Sequence, residues 1–170
     1  MGISAFGAGE LVFHTVKKET TFKSVSMKET VENAKTMNSK IKDISRQIED
    51  PDLVNDIKEI NTTVDKIIST VEKKPDNFKK MNNFFGYYLP VTLNILTKYD
   101  EIENQRLNSE ESRAFMKNTE KMISKIKEAF KKQLGNLYQS DMIDTDAEMK
   151  VFDTMLKADG YDPENDFKIK

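Results

Sequence analysis

Cysteine and tryptophan are missing from this 170-residue chain, and histidine occurs once, at His14. Without thiols there is no disulfide framework, no thiolate nucleophile and no cysteine-held zinc, and the composition fits a reducing compartment. A single imidazole leaves no histidine triad or multi-histidine metal site to assemble, so His14 reads as a surface residue. The three arginines, Arg46, Arg106 and Arg113, do not cluster into a clamp for a phosphoryl group. Glycine-rich phosphate loops are lacking too. The net charge of −2 offers no electrostatic basis for nucleic-acid binding.

What is present is charge and narrow apolar stripes. Charged residues make up 33% and hydrophobic residues 37% of the chain, a balance typical of long amphipathic helices. The clearest stripe lies in "LVNDIKEINTTVDKIISTV", where Leu53, Ile57, Ile60, Val64, Ile67 and Val71 alternate steps of four and three. Asp50 before Pro51 suits an N-cap, and Lys73 and Lys74 suit the last turn. Upstream, Ser26 and Glu29 have capping-box spacing. They precede a second seam of Met27, Val31, Ala34, Met37, Ile41, Ile44 and Ile48. The step of five from Ile48 to Leu53, with Pro51 inside it, predicts two antiparallel helices joined near "EDPD".

Pro75 can open the next helical segment. The stretch "NNFFGYYLPVTL" sets two aromatic pairs around Gly86 and ends in Pro90. A proline ring collides with the carbonyl four residues earlier, here that of Gly86, so a bend is expected. The reading is one kinked helix from Phe78 to about Glu103, or two helices meeting at Tyr88 and Leu89. Asn108 and Glu111 form a further capping box. The helix they open runs from Asn108 or Ser109 to about Tyr138, with the seam Phe115, Met122, Ile126, Phe130, Leu134 and Leu137. Thr145 and Glu148 then cap a short helix carrying Val151, Phe152, Met155 and Leu156, with Gly160 at its C′ position.

No strand pattern survives. The expected fold class is all-α, an antiparallel bundle of long amphipathic helices with a short C-terminal helix. Residues 1–25 form a leader, 26–160 the bundle and 161–170 a frayed tail. Seams this narrow require helix pairing within the chain or between chains, so a coiled coil and a homo-oligomer are both open. The leader "MGISAFGAGELVF" is too short to cross a bilayer, which needs about 20 apolar residues, and has neither a signal peptide's basic start nor a myristoylation pattern. It is either a locally packed leader or the end of a membrane segment.

The charge distribution is uneven. From Gln139 onward nine acids face four lysines. Lysine doublets recur elsewhere, and acidic tail and basic body are either solvated surface or a contact. In "DMIDTDAEMKVFD", Asp144, Asp146 and Glu148 are weak candidates for a divalent ion. Asp144 and Asp146 have the spacing of a phosphatase aspartate pair but lack its preceding strand, and calcium loops fail on the misplaced glycine. Acidic helix capping accounts for the run. Phe84, Phe85, Tyr87, Tyr88, Pro90 and Tyr99 are the candidate ligand or partner-binding set at the bend, with core packing as the plainer reading of these aromatics. No catalytic residue and no cofactor is expected from the residues.

Two segments, "FFGYYLPVTLNILTKYDEIENQ" and "EAFKKQLGNLYQSDMIDTDAEMKVFDTMLKADG", resemble the bromo-chloro-indolyl phosphate hydrolysis proteins, the XpaC-like family of bacteria. The tyrosine pair and Leu-Pro step carry the first match, the acidic turn and the "ML-DG" close the second. The resemblance implies a phosphate-ester hydrolysis by name and a neighbouring toxic-anion-resistance (TelA-like) protein as possible partner. It also implies a hydrophobic span ahead of the leader, placing the chain in the cytoplasm or on the cytoplasmic face of a bacterial membrane. It supplies no nucleophile. The leading expectation is therefore a non-enzymatic helical interaction module, with a metal-assisted phosphoesterase and a small-ligand sensor at the bend as alternatives.

Overall fold

The computed structural model describes residues 7–161, with side chains from Ser26 onward. No strand occurs among them, so the all-α class is as expected. The elements are α1 (Gly7–Ser45), α2 (Pro51–Lys73), a 3₁₀ segment (Pro75–Met81), a π-helical turn (Phe84–Tyr88), α3 (Leu89–Gln105) and α4 (Glu110–Ala158). The chain divides into two units, 1–131 and 132–170.

In the first unit α1 and α2 form the expected hairpin. Asp50 is the N-cap of α2, its carboxylate accepting the Leu53 amide at 2.9 Å with Pro51 in the first turn. The turn therefore stops one helix and starts the next within five residues. All six seam residues of α2 are buried, Ile57, Ile60, Val64, Ile67 and Val71 completely. Burying such side chains contributes about 1.5–3 kcal/mol each, which is what makes a stripe this narrow sufficient.

The α1 seam is less uniform. Val31, Ala34, Ile41 and Ile48 are buried, but so are Asn38 and Ser45. The Asn38 amide donates to the Asn61 carbonyl at 3.1 Å and to Asp65 Oδ1 at 2.8 Å. A polar layer of this kind sets helix register, because any slip strands a buried amide.

Helix α3 runs beside α1 in the same direction, with the Glu49 amide donating to Glu103 Oε1 at 3.2 Å near their C-terminal ends. Arg106, which caps α3 in the left-handed region at φ 48°, pairs with Glu49 as well. The first half of α4 lies antiparallel to α3 and parallel to α2: Tyr99 meets Glu120, Phe84 meets Phe130, and Lys127 and Lys131 meet Asp56 and Glu59. The result is an up-down-up-down four-helix arrangement.

Several boundaries differ from expectation. α1 passes through Ser26 without a break, so Ser26 and Glu29 cap nothing. Ser109, not Asn108, caps α4: its Oγ accepts the Ser112 amide at 3.1 Å, while Asn108 Oδ1 accepts from the Arg113 guanidinium. On α4 Phe130 and Leu137 of the expected seam are buried, but Met122 is exposed and its neighbour Ile123 takes the buried position. No short C-terminal helix is separate. α4 continues through Thr145 to Ala158, because no helix breaker lies between Gly135 and Gly160 and the acids there are tolerated on an exposed surface. Its end is as expected: Gly160 sits at φ 91°, and the Gly160 and Tyr161 amides donate to Lys157 and Leu156 carbonyls, a Schellman close.

The bend before α3 takes a specific form. The Leu89 amide donates to the Phe84 carbonyl, five residues back, which widens the helix by one residue over Phe84–Tyr88. That widening moves the Gly86 carbonyl off the line where the Pro90 ring would strike it. The Thr92 hydroxyl donates to the Tyr88 carbonyl at 2.6 Å, providing a partner at the edge of the distortion. Gly86 itself is not a steric requirement, since a Cβ there would meet nothing within 4 Å.

Candidate functional site

The six aromatic and proline residues singled out at the bend fall into two groups. Phe84, Phe85 and Tyr99 are core. Phe84 stands edge-on to Phe85 at 5.1 Å, and Phe85 touches Phe78 at 5.8 Å. The Tyr99 hydroxyl donates to Glu120 Oε1 at 3.0 Å, and burial, with that carboxylate second, pushes the phenol well above its usual range. Tyr87 and Tyr88, by contrast, face outward as an edge-to-face pair at 5.6 Å, and Pro90 is half-buried beside them. The widened turn thus separates adjacent aromatics to opposite sides.

Asp144, Asp146 and Glu148 do not converge. They are consecutive even positions on one helix, so Asp144 and Glu148 share a side while Asp146 turns away and pairs with Lys150 at 3.0 Å. Among the described residues no group of three or more His, Asp or Glu side chains is placed to hold a metal ion. His14 lies outside the residues whose side chains are described.

Electrostatic organisation is concentrated between α2 and α4. Lys127, largely screened from solvent, reaches Asp56 at 2.8 Å and Glu59 at 3.5 Å, and Lys131 reaches Glu59 at 3.1 Å. The hydrogen bond to Asp56 raises the Lys127 ammonium pKa, and that from Lys131 lowers the Glu59 carboxyl. At the opposite end of the α3 contact, burial raises the Glu103 carboxyl above its ordinary range. These groups are held by structural partners.

The feature missed in the sequence is on α4 after Lys131. Its inward positions Ile123, Phe130 and Leu137 repeat every seven residues, and the same spacing next meets Asp144. The inward stripe therefore ends at Leu137. Beyond it Met142, Ile143, Met149, Val151, Phe152 and Met155 are each about 60% exposed. Tyr138, Met142, Met149 and Phe152 recur at helical spacing on one side, and Asp141 and Asp146 edge a shallow depression along that side. The signal was available as a change of phase in the apolar repeat.

Residues 9–152 match the 5-bromo-4-chloroindolyl phosphate hydrolysis protein family. The chain belongs to this family. The match runs from the first turn of α1 to Phe152 in α4, so the bend, the polar layer and the stripe from Tyr138 to Phe152 sit within the family's span. Comparison with curated proteins and with solved structures gives no significant match. Among the described residues no helix is long and apolar enough to cross a membrane.

Proposed function

We propose that this member of the 5-bromo-4-chloroindolyl phosphate hydrolysis protein family is a non-enzymatic interaction module. The four-helix part is its scaffold and the exposed side of α4 its docking surface. The observation that carries the reading is the stripe of Tyr138, Met142, Met149 and Phe152, open to solvent along one side of α4. Exposed apolar area on that scale marks a contact site far more often than a solvated surface. Membrane tethering, through a segment ahead of the leader, and a toxic-anion-resistance (TelA-like) partner belong to the same reading and rest on the family resemblance.

The rival is the hydrolysis in the family's name. Phosphate monoesters hydrolyse so slowly unaided that an enzyme needs a metal, a strong nucleophile or a cationic clamp. The candidate acids Asp144 and Glu148 lie apart from Asp146, and Asp146 is occupied by Lys150. Purified chain incubated with 5-bromo-4-chloroindolyl phosphate and a divalent ion is expected to match the buffer blank. Turnover lost both to chelator and to Asp144→Asn would overturn the reading. The positive arm is co-purification from the source bacterium: a stoichiometric partner retained by the unaltered chain is expected to be lost from Met149→Asp/Phe152→Asp at unchanged helicity.

A further inference from the structure

We infer that the buried amide of Asn38 is a pairing lock, which commits α1 to one register on its own α2 at a cost in stability. The inference concerns the scaffold and does not depend on what docks along α4.

The α1–α2 seam has coiled-coil spacing on both sides. The inward residues of α1, Val31, Ala34, Asn38, Ile41, Ser45 and Ile48, alternate steps of three and four, as the seam from Leu53 to Val71 does on α2. Two neighbouring hydrophobes, Met37 and Ile44, are left half-buried while Asn38 and Ser45 take the inward places. Seams that repeat every seven residues fit one another at several offsets and fit the same helices of another chain. Apolar contact alone therefore does not select one pairing.

Asn38 supplies the selection. Its amide nitrogen donates only to α2, to the Asn61 carbonyl at 3.1 Å and to Asp65 Oδ1 at 2.8 Å. An offset of one heptad in one direction puts Lys58, a cation, where Asp65 stands. In the other direction it puts Glu72 there, which Lys35 holds at 3.3 Å. Ser45 makes no such selection, because its hydroxyl donates to the Lys42 carbonyl of its own helix at 2.6 Å, whatever lies opposite.

Stability is not what the layer supplies. Asn38 is 5% exposed, and its Oδ1 is buried without a hydrogen-bond partner among the described residues. A buried amide satisfied on one side only is less favourable than an aliphatic side chain of similar size, and leucine in its place would pair at any offset.

The test uses the full chain, which lacks cysteine, so one population can carry a donor dye at Lys42→Cys and another an acceptor at Lys58→Cys. Both positions are exposed, one on each helix of the hairpin. The two populations are unfolded in urea and refolded together, so that energy transfer reports α1 of one chain on α2 of another. Without further substitution, transfer is expected to equal that of populations refolded apart. Asn38→Leu is expected to raise the thermal midpoint and to give transfer above that background. Asp65→Ala, which keeps the amide and removes its carboxylate, is expected to give transfer too, at a lowered midpoint. Ser45→Ala is expected to give none. A lowered midpoint in Asn38→Leu overturns the cost in stability, and background transfer in that variant overturns the lock. Transfer in Ser45→Ala, or in the pair without further substitution, overturns the assignment to Asn38. Should Asn38→Leu not fold, Asp65→Ala decides, since background transfer at unchanged helicity overturns the lock.

Discussion

The Phe130 ring on α4 meets the Phe84 ring of the π-helical turn edge-on, with centroids 5.0 Å apart and planes at 72°. Both side chains are about 1% exposed. This contact ties the distorted segment before α3 to α4. The two halves of the bundle meet elsewhere, through Glu49 with Glu103 and Arg106 and through Asp56 and Glu59 with Lys127 and Lys131.

Truncating either ring to alanine should cost about 3–5 kcal/mol, since neighbours in a bundle core collapse only partly into the space. The double variant should cost less than the sum, by about 0.5–1.5 kcal/mol for the edge-to-face geometry. Urea unfolding of the four proteins in the cycle measures both. Strict additivity would mean that the rings are neighbours without interacting.

Gly86→Ala should leave stability unchanged or raise it by up to about 1 kcal/mol, because the added methyl has room and glycine is a poor helix former. Thermal unfolding checks it. A marked loss would mean that the widened turn needs a conformation only glycine adopts.

Glu103 gives a pH dependence of defined sign. Burial raises its folded-state pKa above the ordinary 4.5, so the folded chain favours the protonated form. Its contribution is fully present below the ordinary value and is lost as pH rises through the raised one. Glu103→Gln should therefore stabilise the protein at pH 7 by no more than about 1 kcal/mol, with no gain at pH 4 and below. Thermal midpoints across that range decide it, and a gain independent of pH would assign the effect to packing.

The Asp56, Glu59, Lys127 and Lys131 network should weaken at both extremes of pH. The lowered carboxyl of Glu59 stabilises above its ordinary 4.5 and loses that effect as pH falls through its folded value; the raised amine of Lys127 stabilises below 10.5 and loses it as pH climbs through its own. Lys127→Met should lower the thermal midpoint more than Lys131→Met, since Lys127 is 17% and Lys131 43% exposed. Equal effects, erased alike by salt, would place both pairs on the open surface.

Much of the bundle could be read from residue spacing because its rules are local. A seam from Leu53 to Val71, an aspartate before a proline and a glycine after a helix each act within a few residues, and each sits where expected. What escaped depends on competition between distant groups. Asn38 enters the core because α2 offers it a carbonyl and a carboxylate, which no pattern on α1 announces. The face of α4 turns on Ile123 rather than Met122 because the helices opposite choose between two adjacent hydrophobes. The acidic stretch reads as a turn by composition, yet helical continuity prevails where nothing breaks it. The outward pair Tyr87 and Tyr88 reflects the one-residue widening, invisible to any search at a fixed helical period.

The uninterrupted course of α4 has a kinetic corollary. Up to Lys131 its amides belong to the first unit and share the fate of the scaffold, whereas past Met142 they are guarded mainly by the helix's own ladder and by clasps such as those of Lys150 and Lys157. A single rod should accordingly carry two lifetimes: deuterium entering the distal turns within moments, and the proximal ones only when the whole molecule opens.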